Sequence, residues 1–408
     1  MTRSNVTTTR LTGQLGRAAA NNDGIIGVIT TGVAAAGLVL GNVYPIDSLK
    51  EAEAMGITAA YDTTNTVLVH HHLKMIYHYN PAAKIRLMVL AQTTTLAQMV
   101  DVANVNNAKK LLKDSGDIKL LGVIRNPASG YTPTLATGLD DDVVAAIPKA
   151  QALVEEEAAE HRGVSIILEG RSFNGTAASA LDLRAQDAEG VSVVIAQDLT
   201  VAAGNALFNG YAAVGTFLGI ASKAAVSQNI GEGIQDFNIR DKATGYFTSV
   251  GLSSKLAVST YATASLTTLD SKGYIFAETP IGMDGVWFND DHTCAALTLD
   301  YAYLADNRTI NKMIALARAA VLPKIKARLT VDETTGYLSS ADKSMLEAMV
   351  EAAVEAMKTD GDLSGSPVCY INERVNLLSG GTLNLELKAV PKSIGRLMSI
   401  QVGFTNPF

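Results

Sequence analysis

Cysteine is scarce in this 408-residue sequence: Cys294 and Cys369 stand alone, too few for a disulfide framework or a thiolate metal cluster, so a reducing compartment is the simpler setting. Excess positive charge is lacking too. With 33 basic against 40 acidic residues the net charge is -7, which argues against nucleic acid or an anionic membrane surface as main partner. Two uncharged stretches, 24–41 and 199–222, are rich in Gly, Ala and Thr but poor in Leu and Phe, and the second carries Asn205 and Asn209; direct membrane insertion is not expected of either. The first reads as a buried strand with a turn, the second as a helix packed closely inside the protein. The opening 24 residues have no apolar segment of the secretory kind. What the chain does have is apolar bulk. Hydrophobic residues make up 48% and charged ones 18%, the composition of a well-packed globular protein with room for two or three domains.

Residues 1–22 are polar and Thr-rich with Arg3, Arg10 and Arg17, an arm more than a domain, and Asn21-Asn22-Asp23-Gly24 is a turn signal. IIGVIT (25–30) reads as a strand with 38–43 as its continuation or partner, followed by a short helix capped by Asp47 or Ser48 and ended by Gly56. From residue 65 helices and strands alternate. Helices are expected at 66–80, 96–112, 142–161, 177–187 and 199–222, and strands at 84–92, 118–125, 164–169 and 191–197. Runs of Val, Ile and Leu between amphipathic helices imply a central, mostly parallel sheet with helices on both faces, an α/β class. Strands at 274–279 and 286–289, long helices at 302–325 and 340–358, and a strand at 368–371 complete a C-terminal α+β portion. The expected division is an N-terminal arm 1–22, an α/β domain 23–250, an α+β domain 251–378 and a strand arm 379–408.

The candidate chemistry is thin. His70, His71, His72 and His78 crowd one helix, but adjacent residues point different ways and no pair has the i,i+3 or i,i+4 spacing that a helical metal site needs. The turns after the central strands carry neither a GxGxxG nor a GxxxxGK[ST] cradle, so no cofactor is assigned. Cys294 near His292, Asp290 and Asp291 could be drafted as nucleophile and base, yet neighbours in sequence rarely converge, and no nucleophile elbow is present. No catalytic residue is assigned. The alternative kept open is an α/β enzyme or small-molecule binder with its site at the carboxyl ends of the central strands.

The end of the chain carries a different signal. Leu383, Leu385, Leu387 and Ala389 alternate with polar residues, Pro391 closes the run, and Met398, Ile400, Val402 and Phe404 alternate again almost to the terminus. Such a strand pair needs an edge to join, in its own domain or in another copy.

The segment VWFNDDHTCAALTLDYAYLADNRTINKMIALARAAVLPKI resembles the late segment of contractile tail sheath proteins, at Asp300, Tyr301, Asn307, Arg308, Leu322 and Pro323. GIIGVITTG with VYPIDSLKEAEAMGI looks like the early sheath pattern, and the terminal alternation fits the family's end. The resemblance implies a structural subunit of a phage-like contractile injection system or phage tail. Many copies would assemble helically around an inner tube protein, bounded by baseplate and terminator proteins, and contract to drive the tube through an envelope. It implies assembly in a bacterial cytoplasm and a final place in a virion tail or injection particle. Terminal arms would be lent between subunits by β-augmentation, with Leu383, Leu385, Leu387, Met398, Ile400, Val402 and Phe404 as contact residues. It also implies that helix 340–358 lies near the tube and offers Asp342, Lys343, Glu347, Glu351 and Glu355 to it.

Overall fold

The apolar runs fold into six strands: β1 (Ile26–Gly32), β2 (Val43–Ile46), β3 (Ile85–Ala91), β4 (Leu120–Ile124), β5 (Ser165–Glu169) and β6 (Val191–Val194), in the spatial order β2-β3-β1-β4-β5-β6. This computed structural model describes residues 23–372, 374–379, 382–399 and 401–403; the expected arm 1–22, with Ile400 and Phe404, lies outside the described residues. All neighbours are parallel except β2, an edge strand antiparallel to β3, where Pro45 costs no interior ladder bond. Its position, 43–46 instead of 38–43, is one correction to the sequence reading.

Successive side chains of each strand go to opposite faces, and both faces are apolar. Val28, Leu120 and Ile167 join one core with helices α2 (Val69–Tyr79) and α5 (Val214–Lys223). Ile29, Leu121 and Ile166 join the other with α3 (Ala108–Ser115) and α4 (Asp141–Ala159). That double burial is why the strands lack polar alternation. Ser48 caps α1 (Leu49–Ala54), accepting from Glu51 N. Helices α2 and α5 approach closely because α5 has Gly215 and Gly219, where an added Cβ would sit 2.6 Å from His72 O and 3.1 Å from Ile76 O.

Three expected helices are shorter than their sequence patterns. In 199–222, Gly204, Asn205 and Asn209-Gly210 divide the run, leaving Leu199–Ala202 and α5 as its α-helices. In 96–112, Asn107 caps α3 and ties the preceding loop by donating to Gln98 O and Asp101 O, so the helix is split into Leu96–Met99 and α3. Stretch 177–187 keeps only the 3-10 turn Leu183–Ala185, and a helix at Thr263–Ser271 was not expected.

Beyond the sheet, α6 (Leu304–Val321) and α7 (Ser340–Thr359) pack through Met313, Leu316 and Ala317 against Val354 and Met357. The Asn-Arg step at the start of α6 fastens it to the α/β body. Asn307 accepts from Ser165 Oγ at 2.9 Å, and Arg308 donates to Ala224 O and Ala225 O, capping the carbonyl end of α5.

Candidate functional site: a sheet edge and the root of the C-terminal arm

Strand β8 (Leu385–Lys388) pairs antiparallel with β7 (Val368–Ile371), Leu385 opposite Ile371 and Leu387 opposite Cys369. The expected hairpin with the last alternation is corrected here: residues 398, 399 and 401–403 form no strand. The reason is apolar burial. Leu383 and Leu385 pack beside Leu338, Leu346 and Ile371, and Leu387 beside Val354, Met357 and Leu363, so β8 has a core of its own to join. Met398 and Val402 face solvent, 82% and 91% exposed.

The two edges of this sheet differ. On the β7 side, Cys369 N donates to Glu351 Oε1 and Ile371 N to Glu347 Oε1, each at 2.8 Å. These carboxylates, four residues apart on α7, stand where the carbonyls of a neighbouring strand would stand. With the odd-numbered amides of β7 turned to the helix, Val368 and Tyr370 face β8, which leaves the backbone of Leu385 and Leu387 on the far edge. Among the described residues no strand pairs with that edge.

Glu347 and Glu351, chosen from the sequence as tube-facing, are thus turned onto β7. Asp342 accepts from Thr330 N, Glu355 from Lys358 Nζ and Ser366 Oγ, and Lys343 lies 5.3 Å from the Tyr370 ring centroid. Along the outward side of α7, Ala341, Ser344, Met345, Ala348, Ala352 and Ala356 are exposed, with the Glu355–Lys358 pair near its C-terminal end.

After β8 the chain stays fastened. Ser364 N donates to Val390 O at 2.8 Å and Ser364 Oγ to Pro391 O at 2.9 Å. Arg396 then enters a socket at the start of α6, with Nε 2.9 Å from Asp290 Oδ2, Nη2 3.1 Å from Asp291 Oδ1, and its guanidinium carbon 3.3 Å from the Tyr303 ring centroid. Asn229 donates to both carboxylates, and Asp291 also accepts from Ala305 N in the first turn of α6. Burial and the neighbouring Asp290 charge push the Asp291 carboxyl up from the usual carboxylate range, and the Arg396 guanidinium opposes that shift. Sequence reasoning missed Arg396, although a lone guanidinium amid SIGRLMSI is the signal that could have found it.

The other candidate groups are engaged in structure. His70 meets Glu53 at 3.0 Å, His72 Nδ1 accepts from Gly215 N, and His78 meets Asp241 at 3.3 Å, so these histidines go to separate partners. Burial pushes the Cys294 thiol up to about 12, away from a reactive thiolate. At the carboxyl ends of the sheet, Asn126 donates to Thr30 Oγ1 and Thr31 O, and Glu169 accepts from Arg125 N, Ala212 N and Arg171. These polar groups at the strand ends are satisfied by one another, and a cavity of about 320 Å³ lined by Tyr131, Arg171, Phe173 and Ser253 lies beside them.

The model described as DUF2586, N-terminal domain, matches residues 3–292, and DUF2586, C-terminal domain, matches 300–408. The chain belongs to the DUF2586 family. Among solved structures, a chain of the anti-feeding prophage baseplate, 6-fold symmetrised, superposes with TM-score 0.62 at 10% identity, covering 100% of both chains. The anti-feeding prophage helical sheath in its contracted state gives 0.60 at 11%, covering 98% of this chain and 99% of that one. The PVC sheath complex of an extracellular contractile injection system, also contracted, gives 0.60 at 10%, covering 99% and 98%. This DUF2586 chain therefore has the contractile-sheath fold along its whole length. No curated protein matches it by sequence.

Proposed function

We propose that this protein is the structural subunit of a contractile sheath that polymerises helically around an inner tube and contracts to drive the tube through a target envelope. The observation that carries the proposal is a donor and an acceptor on one chain. The apolar alternation after Arg396 has Leu397, Met398 and Val402 exposed, while the far edge of β8 has no strand beside it among the described residues. Joined between copies they make a β-augmented contact, repeated along a lattice. The whole-length likeness to chains of contracted sheaths supports this choice. Backbone pairing needs no catalytic group. Contraction is then a rigid-body movement of subunits with the lent segments as hinges.

Residues 1–22 serve as the second lent arm, 23–250 and 251–378 as the two bodies, and the inner tube, baseplate and terminator proteins as partners. The assembly forms in a bacterial cytoplasm and ends in a virion tail or injection particle. We place the tube contact on the outward face of α7, since two of its charges already serve β7. Because β8 belongs to its own subunit, the informative deletion is 397–408. Negative-stain imaging of purified full-length protein is expected to show cylinders and of the truncated chain none; cylinders from the truncated chain would refute the proposal.

A further inference from the structure

The C-terminal stretch is not uniform. From 385 to 391 it is held by β7 and Ser364, at 396 it is held by the Asp290–Asp291 socket, and beyond that Leu397 is 94% exposed. We propose that Arg396 is the anchor fixing where the arm leaves its subunit: β8 and the linker 389–396 stay at home, and only the residues after Arg396 pass to a second copy. This rests on the sheath reading above and adds which residues are lent and what sets their register.

The socket is built for a guanidinium. Two adjacent buried carboxylates offer oxygens to its edge, the Tyr303 ring lies under its plane, and Asn229 and the first turn of α6 hold the acids in place. Lysine has the charge but neither the planar edge nor the stacking face. The same two acids adjoin the Asn-Arg fastening of α6, so the arm leaves from the part of the C-terminal unit most firmly tied to the α/β body. Segment 392–396 also lines a cavity of about 670 Å³ with Gln228, Asn229 and Asp290, so the linker runs along the body rather than free of it. A departure point held this way limits how far a donated strand can slide, and a slip of one residue would turn every apolar side chain to the wrong face.

The test uses the full-length protein in four forms: wild type, R396A, R396K and D290N, with the 397–408 deletion as a reference for assembly. In the soluble chain, subtilisin cleavage within 389–396 is expected to be about tenfold faster in R396A and D290N than in wild type, with R396K restoring only part of the protection. In assembly, R396A is expected to give cylinders of irregular or reduced length. D290N removes the charge without creating a void, so it decides the matter should R396A fold poorly. Equal protection of 389–396 in wild type, R396A and D290N overturns the anchor, and so do cylinders of wild-type length and regularity from both variants. Failure of wild type to form cylinders overturns the sheath reading, while the cleavage comparison still judges whether Arg396 holds the linker.

Discussion

Removing the carboxylates that cover the β7 edge tests the two-edge description most directly. A hydrogen bond to a charged group contributes roughly 1.5–3 kcal/mol, and because Glu347 and Glu351 are half-buried the lower end applies, about 1.5 kcal/mol each. With every 1.4 kcal/mol worth about tenfold, Glu351→Ala is expected to speed exchange of the Cys369 amide roughly tenfold, and Glu347→Ala that of Ile371. Gln at either position keeps an acceptor oxygen and should cost well under half of that. The double alanine variant is expected to lose somewhat less than twice the single effect, because both side chains serve one strand. It also opens a second strand edge, and the expected consequence is irregular association visible by light scattering. Site-resolved hydrogen exchange on the full-length chain is the assay. Unchanged rates at Cys369 and Ile371 in both alanine variants would refute the assignment of these glutamates to the edge.

Other consequences are simpler to measure. Gly215→Ala puts a Cβ against His72 O, 2.6 Å away, and should cost about 1–3 kcal/mol in urea denaturation by overpacking the α2–α5 contact. Arg308→Met should expose the unpaired carbonyls of Ala224 and Ala225, a loss of about 1–3 kcal/mol by the same measurement. His72 is buried beside His71 and Arg171, and burial lowers its pKa well below the ordinary value. The unfolded chain therefore takes up that proton first, so its contribution is intact above about pH 6.5 and falls as the pH drops below it. Urea titrations between pH 7 and 5 should show this slope, reduced in His72→Gln.

The parallel sheet was legible because its strands are buried on both faces and carry uninterrupted Val, Ile and Leu, as in 118–125 and 164–169. Helix 199–222 misled for a related reason: its Gly and Ala content does serve close helix packing, but only at Gly215 and Gly219, and the Asn209-Gly210 turn signal outweighed periodicity upstream. Of the interface, the alternation at Leu385 and Leu387 was visible, but not that β7 would take it. Glu347 and Glu351 read as part of a charged helix face offered to the tube, and nothing local announces a strand edge facing them. Arg396 and Asp290 lie 106 residues apart, so their meeting is a product of the fold that no local pattern encodes.

An edge closed by carboxylates on one side and, among the described residues, unpaired on the other gives the C-terminal sheet a direction. A subunit that accepts on β8 and donates from beyond Arg396 makes a head-to-tail contact, and such contacts build open helical polymers instead of closed dimers. Had the sheet offered both edges, two copies could pair symmetrically and stop. The difference can be measured with a subunit that accepts but cannot donate. Mixed in small proportion with intact protein, the 397–408 deletion should be incorporated and shorten the cylinders, mean length falling as its fraction rises, because each truncated copy breaks one donated link. If instead cylinder length is independent of that fraction, with the truncated chain left in solution, then acceptance requires the arm as well, and the contact is reciprocal rather than directional.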